Sequence, residues 1–134
     1  VAVAEGSSGT GTVSRTTSTP VGETTARLVA LIEAHGMTVF TIVDHSAAAA
    51  AVGLTLRETR VVIFGSPVGG TPVMVTVPLV ALDLPLKVLI WDDDGMTTVT
   101  YTDPETLASR YGLPPELSAR LEGIRSLVDA LVGS

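Results

Sequence analysis

A chain of 134 residues with 46% apolar and 16% charged side chains is expected to form one globular domain, burying about two thirds of its unfolded surface. The net charge is −6 and the eight cations (seven Arg and Lys87) are scattered, so the sequence lacks the basic stripe that nucleic acid requires and the polybasic patch that anionic membranes attract. Without cysteine there is no disulfide, thiol nucleophile or thiolate metal site, and two histidines are too few for a His-rich metal centre in one subunit.

Residues 1–11 are rich in Gly, Ser and Thr and read as a flexible tail, with a single α+β domain over 12–134. They carry neither a basic start nor a long apolar run. No signal peptide is expected within them, and the default location is cytoplasmic, with earlier removal of a leader left open. The alternation from Gly11 to Thr17 predicts a solvated edge strand. Ser18-Thr19-Pro20 predicts a helix start with Thr19 as N-cap, and the apolar positions Val21, Leu28 and Ile32, flanked by Leu31, form one face of a helix that runs to His35 and stops at Gly36.

Met37 to Asp44 predicts a second strand. Ser46 to Val52 is Ala-rich and predicts a short helix capped by Ser46 and ended by Gly53. The continuous apolar run Arg60 to Gly65 predicts a central strand buried on both faces. The longest apolar run, Val73 to Leu82, is broken by Pro78 and too short to span a bilayer. Leu86–Trp91 and Thr97–Thr102 predict a hairpin around Asp93-Asp94-Gly95. A two-residue loop pairs Ile90 with Val99 and a three-residue loop pairs Leu89 with Val99. Asp103-Pro104 and Gly112 bracket a short helix. After Pro114-Pro115, the residues Leu117, Leu121, Ile124, Val128 and Leu131 form a single helical seam suited to docking on the chain's own sheet, or less often to a homodimer contact. The class is α+β: a single-sheet β-α-β(4)-α sandwich with helices packed on the sheet.

Asp44-His45, Gly53-Leu54, Arg60, Phe64-Gly65 with Pro67, Gly70-Thr71-Pro72, Met74, the run Ala81 to Lys87, Trp91, Tyr101 and Asp103-Pro104 form an ordered series. With them the chain resembles, over roughly Pro20 to Gly112, a family of bacterial and archaeal proteins, domain-of-unknown-function family 302. The resemblance implies the β-α-β(4)-α fold and brings no established activity. Ser66 stands where the resemblance leads one to expect Asn before Pro67.

Several groups have a chemical reading beside a structural one. His45, as an imidazole, suits acid–base work or ligand contact. Its neighbour Asp44 points to the opposite face of a strand, so an orienting carboxylate must come from elsewhere, such as Asp83 or Asp103; the structural alternative is a pair capping the Ala-rich helix. Gly65-Ser66-Pro67-Val68-Gly69-Gly70-Thr71 offers backbone N–H groups to an anion, but it lacks the P-loop lysine and Pro67 and Pro72 remove two donors. A turn leading into a short helix is the alternative. Asp83 and Lys87 read as a structural ion pair or as contacts to a carboxylate ligand. Trp91 and Tyr101 fit the core or its rim better than a cofactor stack. Asp92-Asp93-Asp94-Gly95 lacks the remaining ligands of a calcium loop and reads as a solvated hairpin tip. His35 continues the apolar helix face at its C-terminal end.

The function expected is a small-molecule-binding or sensing module for a small polar metabolite, with Asp44, His45, Gly65, Ser66, Gly70, Thr71, Asp83, Lys87 and Tyr101 as candidate ligand contacts and with no cofactor or metal. The alternatives are a metal-independent enzyme using His45 or Lys87, and a purely structural or dimerisation domain.

Overall fold

The computed structural model describes residues 10–133. The tail expected over 1–11 therefore lies almost wholly outside the described residues, but Gly11 is held: its carbonyl accepts the Asp103 N–H at 2.8 Å and the Thr106 hydroxyl at 3.3 Å. Five strands, β1 (Thr12–Thr17), β2 (Thr38–Asp44), β3 (Thr59–Gly65), β4 (Leu86–Asp93) and β5 (Met96–Thr102), form one sheet in the order β1-β5-β4-β3-β2, with every pair antiparallel. Helix α1 (Val21–Ala34) follows β1. The C-terminal helices are α4 (Pro104–Tyr111), α5 (Pro115–Ser118) and α6 (Gly123–Val132). This is the expected α+β class.

The core lies on one face of the sheet. Val13, Val62, Phe64, Val88, Ile90, Val99 and Tyr101 point toward Val21, Leu28 and Ile32 of α1 and Ile124, Leu127, Val128 and Leu131 of α6, and all are buried. Burying side chains of this size contributes about 1.5–3 kcal/mol each. Ile124, Val128 and Leu131 of the expected seam thus dock on the chain's own sheet, whereas Leu117 and Leu121 turn to a second cluster. The seam runs through a broken helix, because α5 gives way to a 3-10 turn (Ala119–Leu121) before α6 begins at Gly123, and glycine costs about 1 kcal/mol relative to Ala inside a helix.

The opposite face of the sheet enters neither core cluster: Val61, Ile63, Leu89 and Trp91 are only half-buried there. The run Arg60 to Gly65 is consequently buried on alternate residues and not, as expected, on both faces. Sequence continuity cannot tell a half-covered apolar strand from a fully covered one.

Two expected caps move by one or two positions. No side chain caps α1, whose cap position is Pro20. Thr19 instead receives the Thr24 hydroxyl on its carbonyl at 3.1 Å. The Ala-rich helix α2 (His45–Ala51) is capped by Asp44, whose carboxylate accepts the Ala47 N–H at 2.9 Å and the Ser46 hydroxyl at 2.6 Å; Ser46 is not the cap. The β4–β5 turn is the two-residue form. Asp93 pairs with Met96, Ile90 pairs with Val99, and Asp94 and Gly95 sit at φ 54° and 90°.

A second, smaller cluster lies beyond one end of the sheet. Helix α3 (Pro67–Thr76) and a 3-10 stretch (Pro78–Asp83) bring Val73 and Val80 against Leu107, Leu113 and Leu121. Leu86 packs against both clusters.

Candidate functional site

Where β3 ends, the chain turns directly into α3. Ser66 is the cap of that helix, its Oγ accepting the Gly69 N–H at 3.1 Å, and Pro67 follows in the first turn, where its missing N–H costs nothing. Across the sheet edge, Thr38 pairs with Gly65 and Val39 with Phe64, and the register slips between Val39 and Thr41, leaving Phe40 half exposed. The Leu84-Pro85 peptide, which is cis, leads the chain back into β4. Between these parts lies a cleft of about 150 Å³ lined by Met37, Phe40, Gly65, Ser66, Pro67, Gly69, Gly70, Met74, Leu84, Pro85, Leu86, Arg120 and Leu121. Gly65 is part of its lining. A Cβ there would lie 3.5 Å from Pro85 and 3.6 Å from Phe40, so a larger residue would intrude on the space.

The cleft is largely apolar. Its lining contains no carboxylate, and its single charge is Arg120. The 3-10 turn after α5 carries Leu121 inward to the small cluster and places Arg120 at the exposed rim.

The nine residues singled out from the sequence do not converge on one pocket. Gly65, Ser66 and Gly70 line the cleft, and Thr71, one residue on, is exposed and outside it. Asp44 and His45 lie at the far end of the β2–β3 pair, because Asp44 pairs with Arg60, five residues or about 17 Å along the strand from Gly65. His45 is exposed in the first turn of α2. Asp83 and Lys87 line a separate depression of about 40 Å³ with Leu86, Thr102, Leu107 and Ile124. Asp83 forms its ion pair with Arg110 at 2.7 Å and accepts the Tyr111 hydroxyl, and Lys87 acts on it only as a more distant charge. Tyr101 is buried in the main core. Trp91 sits on the half-open face, donating to the Thr100 hydroxyl at 3.3 Å with the Arg57 guanidinium 5.8 Å from its ring centre.

The electrostatics follow these contacts. The Ser46 hydroxyl, then the Ala47 N–H and the nearby Arg60, hold the Asp44 carboxyl below the usual carboxylate range. Asp83 is lowered by the Tyr111 hydroxyl and then by Arg110. The same hydrogen bond raises Tyr111. Asp92 accepts the Gly95 N–H at 2.9 Å and stiffens the hairpin tip. His35 ends α1, its ring Nδ1 2.7 Å from the Leu31 carbonyl, and it is exposed and does not extend the apolar face. Among the described residues no group of three His, Cys, Asp or Glu is placed to hold a metal ion.

Met37, Phe40 and Arg120 were missed by sequence reasoning. Met37 directly precedes β2, Phe40 lies within it and Arg120 is in the 3-10 turn after α5, and nothing in their spacing sets them apart from ordinary strand and surface residues.

The architecture defines a class: a single antiparallel five-stranded sheet, helices on one face, and an apolar cleft at the end of β3. The chain belongs to the family described as Domain of unknown function DUF302, whose model matches residues 13–131. That span is wider than the Pro20 to Gly112 expected. The crystal structure of an uncharacterized conserved protein DUF302 from Bacillus stearothermophilus has the same fold, with a TM-score of 0.78 at 20% identity, covering 91% of this chain and 95% of that one. Fluoride-specific ion channel FluC 1 of Brucella suis is 44% identical over 94 residues, 69% of this chain. FluC 1 of Brucella abortus and FluC 2 of Brucella melitensis match to the same extent. The matched stretch is 37% of the first of those proteins and 35% of the other two, so the chain spans about a third of their length. Among the described residues no helix is long and apolar enough to cross a membrane.

Proposed function

We propose that this domain is a small-molecule-binding module and that its ligand sits in the cleft between Phe40, Gly65, Pro85 and Arg120. The cleft itself supports the proposal: it is concave, apolar, and furnished with few polar groups, the usual composition of a ligand site. The homodimer contact expected as a lesser use of the C-terminal seam is no part of the proposal, because Ile124, Val128 and Leu131 are buried in the chain's own core. A metabolite bearing an apolar part suits this lining better than the small polar metabolite expected from sequence. The default setting for such a module is the cytoplasm.

Acid–base catalysis by His45 or Lys87 is the weaker reading, because both side chains are exposed and neither lines the cleft. The Brucella relatives favour an accessory role. A segment like this chain accounts for about a third of a protein named as a fluoride channel, and this chain's sheet is open at β1 and β2 with no membrane-crossing helix among the described residues. In such a protein the segment would bind a ligand beside the conducting part and would not itself conduct.

Native mass spectrometry of the protein after exposure to cell extract, set against its denatured mass, tests the proposal. A non-covalent adduct that is lost in Phe40→Ala and kept in His45→Ala supports it. A bare mass, or an adduct indifferent to Phe40, overturns it.

A further inference from the structure

We infer that the cleft selects a compact apolar monocarboxylate, a ring or a chain of about six carbons bearing one carboxylate, and that Arg120 is the residue that binds its charge. This rests on the cleft being the ligand site.

Size sets the body of the ligand. A volume of about 150 Å³ equals that of an engineered apolar protein cavity that takes up benzene. The walls set its chemistry: Met37, Phe40, Met74, Leu84, Pro85 and Leu86 offer apolar contact and two adaptable thioethers, with no carboxylate to meet a cation or an amine.

Charge sets the head. The chain carries −6, yet the only formal charge on the cleft lining is positive. Arg15, Arg57, Arg60, Arg110 and Arg125 each pair with a carboxylate. Among the described residues Arg120 has no carboxylate within ion-pair reach. Neither does Arg27, which lies on α1 away from the cleft. A guanidinium presents two parallel N–H donors that match the two oxygens of a carboxylate. Ser66 is a second polar group on the same lining. Its oxygen is engaged by the Gly69 N–H, which leaves the hydroxyl proton to donate. One cation fits one negative charge. Lys87, next in the chain to the lining residue Leu86, belongs to the separate depression, so a dianionic phosphate ester finds no second cation here.

The test is an NMR titration of the full chain, reading the backbone amides of Gly69, Gly70, Leu86 and Arg120, with hexanoate, benzoate, hexanol and inorganic phosphate as probes. Hexanoate or benzoate is expected to shift these amides, and Arg120→Gln to weaken that binding about tenfold, the loss typical of a charge-assisted hydrogen bond. Arg120→Lys should recover part of the affinity, which separates charge from lost packing. Hexanol should bind more weakly and equally in all three proteins. Equal binding of hexanol and hexanoate, unchanged by Arg120→Gln, overturns the role of Arg120 while leaving the cleft as a ligand site. Phosphate binding more tightly than hexanoate overturns the monocarboxylate assignment in the same way. No shift at these amides with any probe overturns this inference, and the extract experiment then decides separately whether the cleft binds anything.

Discussion

The Asp103 carboxylate and the Arg125 guanidinium meet at 2.5 Å across 22 residues of chain, and the same carboxylate accepts the Glu105 N–H at 3.0 Å to cap α4. Asp103 is buried while Arg125 is only half-buried, so one side chain both starts a helix and clasps the later helix α6.

Removing the Asp103 carboxylate therefore removes both the α4 cap and the contact to Arg125. Asp103→Ala is expected to cost about 2 kcal/mol, Arg125→Met about 1 kcal/mol, and the double variant less than their sum by about 1 kcal/mol. Urea unfolding of the four proteins checks this; strict additivity would mean the contact carries no coupling.

Asp83 offers a pH test. Its folded-state pKa lies below the ordinary 3.8 because of the Tyr111 hydroxyl and then Arg110. Its contribution to stability is complete above the unfolded value and is lost as pH falls through the lowered folded value. Asp83→Asn should thus be less stable than the parent at pH 6, and the gap should close as both are taken below pH 3.8. Tyr111, raised above 10.0 by the same bond, adds stability that is complete below pH 10.0 and disappears as pH rises through its folded value. Denaturant midpoints across pH in both proteins provide the measurement, and a gap independent of pH on the acid side would contradict the assignment.

Phe40 and Phe64 lie on adjacent strands with opposite fates. Phe64 is 1% exposed and Phe40 is 52% exposed. Phe64→Ala is expected to cost about 3–5 kcal/mol through lost burial and the cavity left behind, and Phe40→Ala less than about 1 kcal/mol. Chemical denaturation distinguishes them, and comparable losses would mean that Phe40 is a core residue and not a wall of the cleft.

Two glycines in the C-terminal region should respond with opposite sign. Gly112 ends α4 at φ 62°, a conformation that costs an L-residue about 1 kcal/mol, so Gly112→Ala destabilises by about that much. Gly123 opens α6 with ordinary backbone and open space where a Cβ would go, so Gly123→Ala should stabilise by about 0.5–1 kcal/mol. Melting temperatures moving in the same direction for both would refute the backbone argument.

Local grammar made much of the fold legible. Asp103-Pro104 and Gly112 bracketed α4 correctly because caps and left-handed ends are chosen by the residues themselves. The Asp94-Gly95 turn and the Val21, Leu28, Ile32 face follow from similarly short-range rules. The break at Ala119–Leu121 did not show, because Leu117, Leu121 and Ile124 keep helical spacing through it. The site was less legible still. The polar residues drawn to attention belong to two different places, Asp44 and His45 at the far end of β2 and Lys87 on β4, whereas the cleft is assembled from apolar residues that any core would contain. Convergence of distant elements is a tertiary fact, and spacing along one chain does not encode it.

Among the described residues Leu86 is the single side chain packed against both hydrophobic clusters, and it also lines the cleft. A molecule held together through so narrow an apolar bridge has two tiers of cooperativity. The elements around Val73, Val80 and Leu107 can exchange their amide hydrogens through a partial opening that spares the sheet, while Val62, Val88 and Val99 exchange only on global unfolding. Because the cleft borders this less secure part of the molecule, a ligand bound there would slow exchange in α3 and α4 long before it altered the strands.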